Sequence, residues 1–141
     1  MIENIVRAVI INDNKILVVK RRGKNNTFLP GGHIEHFESV PVALIREINE
    51  EIGMDCEVNE FLGCIENSFP DDNGDLCHEI GLYFNVKLLN YSQIVISNED
   101  HLEFFWSEID KLEDINLQPS SVLDIIYSKN NSTTKFLTNI K

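Results

Sequence analysis

The chain has 141 residues, 43% of them hydrophobic, and a formal net charge of −11. This length suits one domain with its own core. The acidity opposes nonspecific binding to nucleic acid or to an anionic membrane surface, both of which depend on neutralising phosphates, and no apolar run approaches a membrane span.

The N-terminus, MIENIVRAVI, has no basic region ahead of its apolar run. It reads as a first strand rather than a secretion signal, which makes the cytoplasm the expected location. Residues 3–22 read as a hairpin: Ile5–Ile11 is rich in β-branched residues, Asn12-Asp13-Asn14 is turn chemistry, and Lys15–Arg22 returns. Alternation along a strand puts Lys20 and Arg22 on one face and Arg21 on the other. Gly23–Asn26 is a loop, and Thr27–Leu29 is short and extended because Leu29 precedes a proline. Gly31-Gly32 lets the backbone pass close to a ligand, with carbonyl groups available to it.

A helix follows. Ser39 can cap it, Pro41 fits its first turn, and Gly53 supplies a left-handed stop. Leu44, Ile45, Ile48 and Ile52 gather on one side, with Glu47, Glu50 and Glu51 on the side next to it. Three adjacent carboxylates destabilise an isolated helix. A solvated face would interleave lysines with them, and here only Arg46 is near. A hard cation such as Mg²⁺ tolerates carboxylate oxygens of this kind. His33 and His36, three apart, are too few to indicate zinc. Cys56, Cys64 and Cys77 contain no C-x-x-C and read as free thiols.

Glu57–Phe69 reads as a strand, and residues 70–75 as a turn whose spacing does not match a calcium-binding EF-hand. Leu76–Leu89 is a second long strand, residues 90–102 a polar loop, and Glu103–Ile109, with Trp106, extended. A last helix spans about Ser120–Ser128, and Lys129–Lys141 reads as a frayed polar tail. Strands on both sides of a central helix, with a second helix at the end, predict an α/β fold: an α/β/α sandwich around a mixed sheet. Residues 1–128 form one domain. The cations Arg7, Lys15, Lys20, Arg21, Arg22, Lys24 and Arg46 all lie in the first third, whereas only Lys87 and Lys111 are lysine or arginine between Glu47 and Tyr127. Positive charge is thus close in sequence to the carboxylate helix, where an anionic substrate needs it.

Gly32–Met54, GHIEHFESVPVALIREINEEIGM, resembles the Nudix box, G-x5-E-x7-R-E-U-x-E-E-x-G-U with U apolar, at every fixed position. The preceding Phe28-Leu29-Pro30-Gly31 resembles the family's run into the box. The resemblance implies a Nudix-type sandwich over most of the chain and supplies the strand order, which the sequence does not. It implies Mg²⁺-dependent hydrolysis of a diphosphate bond, with Mn²⁺ as a substitute metal. The substrate is then a small phosphorylated nucleotide derivative such as ADP-ribose or an oxidised nucleoside triphosphate. No nucleic-acid or membrane partner is expected, and a homodimer is.

Carried over residue by residue, Glu47, Glu50 and Glu51 form the metal cluster, with backbone groups of Gly31 and Gly32. Arg46 fixes a carboxylate through a bidentate pair, and Glu38 braces the loop or acts through a water. The general base is a box glutamate or a distant acid, with Glu103 ahead of Glu99 and Glu79. Arg7, Lys20 and Arg22 are candidates for substrate phosphate. Phe28, Phe69, Tyr83 and Trp106 are available to stack on a base, and Pro70 resembles a feature of ADP-ribose-hydrolysing members. The competing expectation is a non-catalytic sensor of ADP-ribose or nucleotide on the same fold; loss of box glutamates would favour it, and none is lost.

Overall fold

The computed structural model describes residues 1–131 and 133–141. Strand β1 (Ile2–Asn12) turns through Asp13 and Asn14 into β2 (Lys15–Arg21). Both turn residues have positive φ, 51° and 64°, the backbone that a tight two-residue hairpin turn needs and that Asp and Asn tolerate. β3 (Thr27–Phe28) and β4 (Gly31–His33) lie on either side of Pro30. Helix α1 (Val40–Ile52) follows, then β5 (Cys56–Pro70), β6 (Leu76–Leu88), β7 (Leu102–Glu108), α2 (Val122–Tyr127) and β8 (Lys135–Thr138).

The eight strands form one sheet ordered β3-β2-β1-β6-β5-β8, with β4 also on β1 and β7 also on β2. Pairs β1/β6 and β5/β8 are parallel and the others antiparallel. Alternation along the strands splits the core in two. Val6, Ala8, Ile10, Leu17 and Val19 pack on one face with Ala43, Leu44, Ile48 and Ile52 of α1. Val9, Ile16, Val18 and Tyr83 pack on the other with Leu112, Val122, Ile125 and Ile126. The result is the expected α/β/α sandwich, and it holds α1 against the first strands.

Several local expectations change. Ser39 precedes α1 but makes no side-chain cap; Pro41 does sit in the first turn. Gly53 ends the helix with φ 66°, its N–H donating to Asn49 O at 2.8 Å. Ile109–Ile115 forms a 3-10 helix that carries the buried Leu112. The expected frayed tail is instead partly ordered. Lys135–Thr138 pairs with β5, and Asn139 Oδ1 accepts from Ser68 N at 2.8 Å. Four residues are too few to show a strand period, and this pairing is long-range, so local sequence does not announce it. Ser132 of that tail lies outside the described residues. The three cysteines are free. Among the described residues no helix is long and apolar enough to cross a membrane.

Candidate active site

Leu44, Ile48 and Glu51 stand at i, i+4 and i+7, one stripe of α1. All three are buried, and Glu51 is only 5% exposed. Ile45, expected on that face, is 39% exposed. The buried stripe thus runs through a carboxylate, which the helix delivers to the Gly31-Gly32 turn. Gly31 N–H donates to Glu51 Oε1 at 3.1 Å. Burial pushes the Glu51 carboxyl up to about 7; Arg7 and the Gly31 N–H pull it down, while the charges of Glu47 and Glu99 push it further up.

The two glycines are required by close approach. Gly31 has φ 141°, and a Cβ there would overlap the Val6 carbonyl. A Cβ at Gly32 would overlap the Glu47 carboxyl group. Glu47 occupies the space that glycine leaves.

Arg46 ties the loop to the helix. Its Nε and Nη2 donate to the two oxygens of Glu38 at 2.6 and 2.8 Å, a bidentate pair. Nη2 also donates to His33 O at 3.0 Å, and Nη1 to Glu47 and Glu50 at 3.0 and 3.2 Å. Glu38 accepts the Glu35 N–H as well. The Arg46 bonds, with that backbone bond second, hold the Glu38 carboxyl down to about 2, and Arg46 in turn is raised.

Among the described residues, no three acidic, histidine or cysteine side chains converge as a ready-made metal cage. Glu47 and Glu50 share Arg46 Nη1, and Glu51 binds Gly31 N. The donor chemistry still fits a hard divalent cation, because Glu47, Glu50, Glu51 and the glycine carbonyls offer only oxygens. Burial opposes ionisation of Glu51, and a cation beside it would remove that penalty.

A cavity of about 690 Å³ opens next to this turn. No box glutamate lines it. It meets the turn through Leu29, His33 and Arg7, and Arg7 is the Cα partner of Gly31. Arg7 Nη1 donates to Leu29 O at 3.2 Å. Its guanidinium lies 5.3 Å from the centre of the Phe28 ring, with Arg21 at 6.0 Å from the same ring. Phe28, Phe69, Pro70 and Tyr83 also line the cavity. Trp106 does not; its Nε1 donates to Ser92 O, and it packs beside Tyr91.

Of the three candidate phosphate cations only Arg7 reaches this cavity. Arg22 pairs with Glu103 at 3.2 Å and donates to Asp100 O at 2.7 Å. Lys20 is the Cα partner of Glu103. Neither Lys20 nor Arg22 lines the cavity. β2 ends at Arg21, so Arg22 lies in the turn beyond it and the expected alternation does not extend to it; Arg21 lines the cavity, as does Lys24. Glu103 is thus engaged by Arg22. Glu99 is the loop acid whose charge acts on Glu51, and Asn98 N–H donates to Glu51 O at 2.7 Å. Glu79 lines the cavity.

The NUDIX domain family model matches residues 1–124. An ADP-ribose pyrophosphatase of Methanocaldococcus jannaschii is 36% identical over 105 residues, 71% of this chain and 59% of that protein, so the chain spans less than two thirds of that relative. An 8-oxo-dGTP diphosphatase of Buchnera aphidicola is 30% identical over 128 residues, 88% of this chain and 90% of that protein. The structure of a NUDIX hydrolase from Nitrosomonas europaea superposes with a TM-score of 0.75 at 19% identity, covering 99% of this chain and 79% of that one.

Proposed function

This chain belongs to the NUDIX domain family, and on that premise we propose that it hydrolyses the diphosphate linkage of a nucleoside diphosphate derivative. The cofactor is Mg²⁺, with Mn²⁺ as a substitute, and the location cytoplasmic. The observation that carries this reading is the buried Glu51 carboxylate against Gly31 N, at a turn bordered by an arginine-lined cavity.

Glu47, Glu50 and Glu51, with carbonyls of Gly31 and Gly32, would hold the ion. When bound, a divalent cation neutralises diphosphate oxygens and lowers the pKa of a coordinated water. The chain's own residues do the placing. Arg46 and Glu38 keep the loop in register with the helix. Arg7 offers its guanidinium to the diphosphate where the cavity meets the turn, and Phe28 offers a ring face to the nucleoside. Among the loop acids Glu99 replaces Glu103 as the candidate general base, since geometry comes before pKa in naming one. ADP-ribose and 8-oxo-dGTP, named for the two relatives, share a purine nucleotide carrying a diphosphate. Pro70 at the cavity wall supports the ADP-ribose reading.

The test is product release from ADP-ribose, canonical and oxidised nucleoside triphosphates, dinucleoside polyphosphates and sugar nucleotides, with Mg²⁺ and with chelator. Cleavage of one member that stops with chelator is expected. Tight binding across the panel without turnover would overturn the hydrolase and leave a sensor. For the productive substrate, Arg7→Ala is expected to raise KM about tenfold or more, the loss of a charge-assisted hydrogen bond. Lys20→Ala should stay within about twofold, as surface charges do; equal effects would remove Arg7 from the phosphate site. Gly32→Ala, which drives Glu47 from its place, should lower kcat about tenfold to a hundredfold with helix content retained by circular dichroism. A wild-type rate would show that Glu47 need not sit there.

A further inference from the structure

The cavity floor repeats the register of three strands. Across β1 and β6, Glu3 faces Glu79, Ile5 faces Gly81 and Arg7 faces Tyr83. On β5, Asn67 stands opposite Glu79. Glu3, Ile5, Arg7, Asn67, Glu79 and Tyr83 all line the cavity. The floor therefore runs from a cationic and aromatic row, through an apolar row, to an acidic row. Four residues of strand separate its ends, roughly 13 Å. A nucleotide whose phosphates lie at Arg7 extends its base or its second sugar toward the acidic row.

The acidic row is held in place. Asn139, just past β8, donates from Nδ2 to Asn67 Oδ1 at 2.7 Å and to Ser68 O at 3.1 Å. Its own Oδ1 accepts from Ser68 N. Asn67, opposite Glu79 in the register, is thereby fixed beside it, and it favours the charged carboxylate there. Burial pushes the Glu79 carboxyl up, while Arg7, His33 and Asn67 pull it down and Glu3 pushes it up. A carboxylate only accepts hydrogen bonds. Its neighbour Glu3 adds a second acceptor, so a substrate acceptor placed here would meet like charge.

We propose that Glu79, positioned by Asn67 and Asn139, is the specificity residue of this cavity and accepts two adjacent hydrogen-bond donors from the substrate. The N1–H and 2-amino group of a guanine present such a pair, and so does the vicinal diol of a ribose. The proposal rests on the hydrolase reading only for placing the phosphates near Arg7. Asn139 lies outside residues 1–124, so part of this selectivity comes from beyond the region that the family model matches.

Nucleoside monophosphates, which hold no diphosphate bond to cleave, test it by calorimetry on the full chain with Mg²⁺. GMP against IMP deletes the 2-amino group; ribose 5-phosphate against its 2-deoxy form, equally without a diphosphate bond, deletes one hydroxyl of the second sugar's diol. The expected result is an about tenfold preference of the wild type for the first member of one pair, reduced to below about twofold in Glu79→Gln. The pair that responds identifies the donor source. Asn139→Ala, at an exposed position, should reduce the same preference severalfold and serves if Glu79→Gln does not fold. No preference in the wild type, or a preference that persists in the variants, overturns the proposal. A Glu79-dependent preference without metal-dependent cleavage would retain the pocket and remove the hydrolase. Cleavage without the preference would remove the pocket assignment alone.

Discussion

Glu51→Gln is expected to cost at least about a hundredfold in turnover, as loss of a metal-site residue does, and to stabilise the metal-free protein at pH 8. The two effects have one cause. Burial raises the Glu51 carboxyl from an ordinary value of 4.5 to about 7, so the folded protein holds that proton more tightly than the unfolded chain. As pH rises from 4.5 to 7 the folded state loses stability relative to the unfolded one, up to about 3 kcal/mol, and the loss is complete above 7. Glutamine keeps an acceptor for Gly31 N and carries no charge to bury. In chelator, the melting temperatures of mutant and wild type should coincide near pH 4. They should diverge between pH 4.5 and 7, with the mutant higher, and run parallel above. Excess Mg²⁺ should stabilise the wild type more than the mutant. A mutant with wild-type turnover would dismiss Glu51 as a ligand; a constant gap in melting temperature would dismiss its burial as the source of strain.

Arg46→Lys is expected to lower activity about tenfold to a hundredfold and to raise the metal concentration needed for half-activation. Lysine keeps the charge but has no planar fork, so it cannot span both Glu38 oxygens while also reaching His33 O, Glu47 and Glu50. The acid limb of unfolding should change as well. With its carboxyl held to about 2 by Arg46, Glu38 contributes stability that is present above 4.5 and is lost as pH falls toward 2. In Arg46→Lys that carboxyl returns toward its ordinary range, and the acid midpoint moves up. An unchanged metal requirement would mean that Arg46 holds the loop without arranging the carboxylates.

The i, i+4, i+7 relation of Leu44, Ile48 and Glu51 was present in the sequence, yet a glutamate in an apolar stripe reads as the edge of a polar face. Only the packing of α1 against the Gly31-Gly32 turn shows it as buried. The reverse holds for Ile45, whose apolar side chain faces outward at 39% exposure. The end of β2 makes the same point: period-two alternation stops at Arg21, and the tertiary neighbours decide that Arg21 lines the cavity and Arg22, in the turn beyond, meets Glu103.

Legible in the chain alone were most of the local elements, though not the Ile109–Ile115 turn of 3-10 helix or β8, the family, and the spacing that sets Arg46, Glu47, Glu50 and Glu51 on one helix after a two-glycine turn. Those are properties of neighbours along the chain, where hydrogen bonding and side-chain period act over a few residues. Tertiary structure alone decided the parallel pairing of β1 with β6, the addition of β8 to β5, and the cavity they floor. It also brought the Asn98-Glu99 loop to Glu51, paired Glu103 with Arg22, and put Asn139 beside Asn67. Each of these joins residues far apart in sequence through pairing that depends on the whole sheet, and no short window of sequence carries that information.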